Sequence, residues 1–191
     1  NGSTGVVSVT GNVATNGSAA LYNASQGSIN ITAPNGVIQS AQSTFALIQN
    51  NGTTPGAINF IGNISGSTSD SPSKGFVIVN TSTGIINITG NIVARDVGNS
   101  TGIINQNTGI GTINIVGNIS GGSAPNSVAV WLQTASVLNI TGNCYGGSNI
   151  NISPAVGSNT STTRMNISGS CIGGTAFPAI YTQGSGNIHI I

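Results

Sequence analysis

One seven-residue pattern, Ile-Asn-Ile-Thr-Gly-Asn-Ile, recurs along the whole chain and restricts what it can fold into. Its clearest copies run from Ile86 to Ile92, from Ile113 to Ile119 and from Leu138 to Cys144. Variants begin at Val7, Ile29, Ile58 and Met165, and a shortened copy begins at Ile188. Successive starts lie roughly 22 to 29 residues apart, the period of solenoid and array folds. Within a copy, apolar and polar residues alternate with period two, the mark of a strand with one buried face. Ile86 and Ile88 are expected to point inward, and Asn87 and Thr89 outward. Gly-Asn then turns the chain, because both residues tolerate left-handed backbone conformations.

About half a period later a second apolar cluster appears and ends in an amide, as in Leu21-Tyr22-Asn23, Leu47-Ile48-Gln49 and Ile78-Val79-Asn80. The sixth copy is degenerate here, with only Pro154-Ala155-Val156. Each coil therefore supplies at least two strands, joined by corners rich in Gly, Ser and Thr, and nothing reads as a helix. The expected fold is all-β, a parallel β-solenoid spanning residues 1–191 as one repeat domain. Strands stacked about 4.8 Å apart give a rod on the order of 35 Å long. Inside run Ile/Val/Leu ladders. Outside, Asn30, Asn59, Asn87, Asn114, Asn139 and Asn166 fall in one row, where side-chain amides can bond along the axis. An antiparallel Greek-key sandwich is the alternative, although it does not require such self-similarity.

Composition narrows the partners. Only 3 residues are Lys or Arg and 2 are Asp or Glu, far below the roughly 25% charged residues of ordinary domains. Such a surface offers no electrostatic steering, so neither nucleic acid nor an anionic membrane is an expected partner. Apolar runs such as Phe76-Val77-Ile78-Val79 are too short to span a bilayer. The sequence begins without a starting methionine or signal peptide, which suggests a mature product or a fragment. Neither end reads as a polar cap, so the stack is expected to continue, either in a longer repeat protein or through end-to-end subunits.

The tandem Ile-Asn-Ile-Thr-Gly-Asn-Ile pattern followed by Ser-Gly-Gly resembles the β-strand repeats of phage fibres and spikes and of large bacterial surface adhesins. The resemblance covers essentially the whole chain. It implies a parallel β-helix at a virion or cell surface. Ala33-Pro34-Asn35-Gly36-Val37 also resembles the Asn-Pro-Asn-Gly-Ile turn of haemagglutinin-type β-helical adhesins, without its leading Asn.

Few residues carry reactive chemistry. Cys144 and Cys171 occupy one motif position in consecutive coils, where earlier copies have Ile64, Ile92 and Ile119. Stacking places their Cα atoms about 5 Å apart, within disulfide range. Two readings stand: an inter-coil disulfide, or two small apolar side chains in a ladder. A metal site is not expected, since no histidine or third cysteine shares that register. Asp70, Lys74, Arg95 and Asp96 gather on one loop edge. A carboxylate pair there could serve glycoside cleavage, but a local ion-pair cluster is the expected reading. The single His189 lies in the last strand, so no Ser/His/Asp arrangement can be built. Tyr22, Trp131 and Tyr181 fall in the second cluster. They are a candidate stripe for stacking on sugar rings, against core or corner packing as the competing reading.

The leading expectation is a non-enzymatic structural protein of an extracellular fibre or appendage, on a virion or cell surface, presenting loops for attachment. The alternative is a bacterial adhesin or self-assembling filament subunit. Its partners would be further copies of itself and a cell-surface glycan, with no catalytic residues and no cofactor. An ice-binding solenoid is a further class. It needs regular Thr-x-Thr rows, whereas the outward pairs here include Asn59/Ile61, Asn114/Val116 and Asn166/Ser168.

Overall fold

The computed structural model describes residues 4–15, 20–24, 26–40, 47–51, 56–66, 76–81, 83–94, 101–105, 111–122, 127–134, 136–147, 154–159, 164–175, 177–184 and 186–191. Each repeat contributes one strand to a long first face: Val6–Thr10, Ser28–Ser40, Ala57–Ser65, Ile85–Thr89, Thr112–Val116, Val137–Thr141, Arg164–Ser168 and Asn187–Ile190. Every pair of neighbours on this face is parallel. After the corner, short strands such as Ile92–Val93, Ile119–Ser120, Cys144–Tyr145 and Cys171–Ile172 form a narrow strip of the same 13-stranded sheet. A 7-stranded second face follows, from Leu21–Asn23 through Ile48–Asn50, Phe76–Asn80, Thr101–Asn105, Val128–Leu132 and Val156–Ser158 to Ile180–Thr182. The described residues contain no helix. The molecule is a parallel β-solenoid.

Register follows the repeat. Val7, Ile29, Ile58, Ile86, Ile113, Leu138, Met165 and Ile188 lie directly above one another. Period-two alternation decides this, because a slip of one residue would turn every isoleucine to solvent. Ile58, Ile86, Ile113, Leu138 and Met165 are fully buried, as are Ile48, Ile78, Ile103, Val130 and Val156 opposite them. Each such side chain contributes roughly 1.5–3 kcal/mol relative to exposure. A coil on its own cannot bury these side chains, so stability comes from stacking.

The sixth repeat, degenerate in sequence, still delivers the strand Val156–Ser158 with Pro154, Ala155 and Val156 buried. The segment resembling an adhesin turn differs from expectation. It lies within the strand Ser28–Ser40, where Thr32 pairs with Ile61 but Val37 already pairs with Asn63. The additional residues form a bulge that replaces the Gly-Asn corner of other coils.

Candidate functional site

Three asparagine rows, each doing something different, run parallel to the axis. On the first face, Asn59 Nδ2 donates to Asn30 Oδ1 at 2.8 Å and Asn87 Nδ2 to Asn59 Oδ1 at 2.7 Å. The same bond repeats from Asn114 to Asn87, Asn139 to Asn114 and Asn166 to Asn139. All donors point toward the N-terminal end, so the row is polar along its length. Ser8 and His189 occupy the same column at either end. The flanking outward positions mix Thr32, Thr89 and Thr141 with Ile61 at 50% exposure and Val116 at 54%.

The second row sits at the corner. Gly62, Gly90, Gly117, Gly142 and Gly169 have φ between 144° and 149°, a region that side chains other than glycine rarely adopt. A Cβ on Gly117 would lie 2.1 Å from the carbonyl oxygen of Gly90, so only glycine lets the coils close up. The asparagine that follows contributes its side chain, a role not visible from turn propensity. The backbone N–H of Asn91 donates to Asn63 Oδ1, that of Asn118 to Asn91, that of Asn143 to Asn118 and that of Ser170 to Asn143.

The third row lies inside. Asn23, Asn50 and Asn80 are fully buried and in register on the second face. Asn23 Nδ2 reaches the Gly27 carbonyl at 2.9 Å and ties down the turn after its strand. The amide of the second coil is thus Asn50. Gln49, which closes the cluster in the sequence reading, belongs one column earlier with Tyr22 and Val79. The sequence offers two amides side by side here, and only the register separates them.

The Tyr22 column also contains Trp131, Gly157 and Tyr181. A Cβ on Gly157 would come within 2.2 Å of the Trp131 indole, so its absence gives the ring a place to lie. Across that rung Trp131 and Tyr181 stack, with ring centroids 6.2 Å apart and planes 20° from parallel. Phe177 meets Tyr181 edge-on at 5.4 Å, and Gln183 Nε2 donates to the Tyr181 hydroxyl at 2.8 Å. Trp131, Tyr181 and Phe177 are each partly exposed. Tyr22 stands at the far end of the column, where its hydroxyl accepts from Asn51 Nδ2 at 3.1 Å. Two of the three predicted aromatics therefore meet, joined by Phe177 and Gly157, which the sequence reading missed.

Cys144 and Cys171 are register partners and both are free thiols. Cys144 is buried and Cys171 half-buried. The Cys144 S–H donates to the Cys171 sulfur, which pushes the Cys144 pKa up, burial adding to the effect, and draws that of Cys171 below the usual thiol value. Asp70, Lys74, Arg95 and Asp96 lie outside the described residues. Arg164 and His189 are exposed on the first face. No group of three or more His, Cys, Asp or Glu side chains able to hold a metal occurs among the described residues.

At the N-terminal end, Val6, Val7 and Val9 are exposed, and an open recess of about 430 Å³ is lined by Val7, Val9, Val13, Leu21, Ile29 and Ile31. At the other end Ile190 and Ile191 are exposed. Compared with known proteins, the chain matches no family model, no curated protein and no solved structure.

Proposed function

We propose that this protein is a non-enzymatic structural component of an extracellular fibre or appendage, carried on a virion or cell surface and used for attachment. The observation behind this reading is the axial continuity of the first face, where one amide hydrogen bond passes from Asn166 to Asn30 through every intervening coil. A surface of amides, hydroxyls and aliphatic side chains suits a rod that must resist its surroundings more than it suits a reaction centre. The test is immunogold labelling of the native source with antibody to this chain. Label along surface fibres or appendages is expected, and label confined to the cell interior overturns the reading.

A self-assembling filament or adhesin subunit is the second reading. It is supported by the self-similar stacking, in which each coil meets the next in the same parallel register. For attachment, the Trp131–Tyr181 stack is the best-placed contact for a neutral glycan, because sugar C–H faces pack on aromatic rings and need no charge. The competing enzyme reading rests on Asp70 and Asp96. Polysaccharide cleavage that disappears in Asp70→Asn or Asp96→Asn would replace the structural account.

A further inference from the structure

The column Ile64–Ile92–Ile119–Cys144–Cys171 changes character at its last two rungs. Three buried isoleucines fill the corner, and then two thiols take their place. Packing alone does not call for sulfur there, since one rung earlier the same slot holds the fully buried Ile119. The strand Cys171–Ile172 is the outermost of its strip among the described residues, paired only with Cys144–Tyr145. Cys171 therefore has the buried Cys144 thiol on one side and partial access to solvent on the other.

We propose that this pair is a site of thiol–disulfide exchange, with Cys171 the attacking thiol and Cys144 the resolving one. Its substrate is a small disulfide of the oxidised-glutathione class. The Cys171 thiolate attacks one sulfur of that disulfide, forming a mixed disulfide and releasing the other half as a thiolate. Cys144 then loses its proton to that thiolate or to water and attacks the Cys171 sulfur. The Cys144–Cys171 bond forms and the second half leaves as a thiolate, which takes a proton from solvent. Two protein thiols are oxidised by two electrons, and one small disulfide is reduced to two thiols. Parallel neighbours about 4.8 Å apart fall inside the Cα separation that a disulfide spans.

The order of events follows from the environment. The hydrogen bond from Cys144 favours the thiolate at Cys171, while that bond and burial hold Cys144 protonated until a mixed disulfide sits beside it. The product is a staple between two adjacent coils, and it stands whether or not the protein binds glycan.

The native protein incubated with excess oxidised glutathione provides the test, followed by intact and peptide mass spectrometry. The wild type is expected to end with the loss of two hydrogens and a Cys144–Cys171 cross-linked peptide. Cys144→Val, which restores the aliphatic column, should stop at a glutathione adduct on Cys171. Cys171→Val should leave Cys144 unmodified while folded. The pH midpoint of Cys171 alkylation should rise in Cys144→Val, because the stabilising donor is gone. A wild type that accumulates a Cys171 adduct without closing the ring overturns the proposal. So does a Cys144 that reacts as fast as Cys171 in the folded chain, or an alkylation midpoint that Cys144→Val leaves in place.

Discussion

The two broad faces of the rod share parallel pairing and buried aliphatic ladders, yet they differ in what they hold constant. The first face repeats Asn at one column from Asn30 to Asn166, and each amide bonds to the next. On the second face the column that begins at Tyr22 continues through Gln49, Val79, Ile104, Trp131 and Gly157 to Tyr181. Its inner neighbour passes from Asn23, Asn50 and Asn80 to Leu132 and Ser158. A row of identical side chains gains a bond at every rung and loses two when one member changes. A row of mixed side chains has no such coupling, so residues there can change one at a time.

The corner separates these regimes most sharply. Gly117→Ala places a Cβ against the Gly90 carbonyl at an unfavourable φ, and should destabilise the protein by about 3 kcal/mol or more. Gly11→Ala has a comparable φ but open space around the new methyl, so only the backbone strain of about 1–2 kcal/mol is expected. Chemical denaturation of both variants measures the difference, and equal losses would mean that the close approach of coils is not what requires glycine.

Asparagine replacement compares the faces directly. Asn114→Leu strands Asn87 Oδ1 and Asn139 Nδ2, its two partners, for a loss of about 1–3 kcal/mol. Asn50→Leu removes one long bond to the Gly56 carbonyl, in a column that already accepts the buried Leu132. Its loss should stay within about 1 kcal/mol. If Asn50→Leu proves the more damaging, the buried row holds the corners more firmly than the exposed row holds the face.

Smaller effects probe the ends and the aromatic stack. Trp131→Ala should leave the unfolding midpoint within a few degrees of wild type while abolishing any glycan binding seen by titration calorimetry. Binding that survives it would move the contact elsewhere. His189→Asn extends the amide row by one rung beyond Asn166 and should gain up to about 1 kcal/mol.

The first face was legible in the sequence because alternation and repeat length together leave one register. The motif starts Val7 through Ile188 fall in one column as expected. The second face was less legible. Its strands are short, as at Ile48–Asn50 and Val156–Ser158, and they carry no fixed motif, so Gln49 and Asn50 could not be told apart. The Trp131–Tyr181 stack was hidden for another reason: it depends on Gly157, a residue notable for the side chain it lacks. The pairing of Cys144 with Cys171 was visible from spacing, whereas the unequal burial of the two thiols required the three-dimensional stack.

The central claim is that coils stack along one axis in parallel register. Nuclear magnetic resonance of the isotope-labelled protein tests it most directly. The account predicts through-space contacts from Asn114 to both Asn87 and Asn139, as parallel strands about 4.8 Å apart require. Antiparallel contacts among those strands would contradict it.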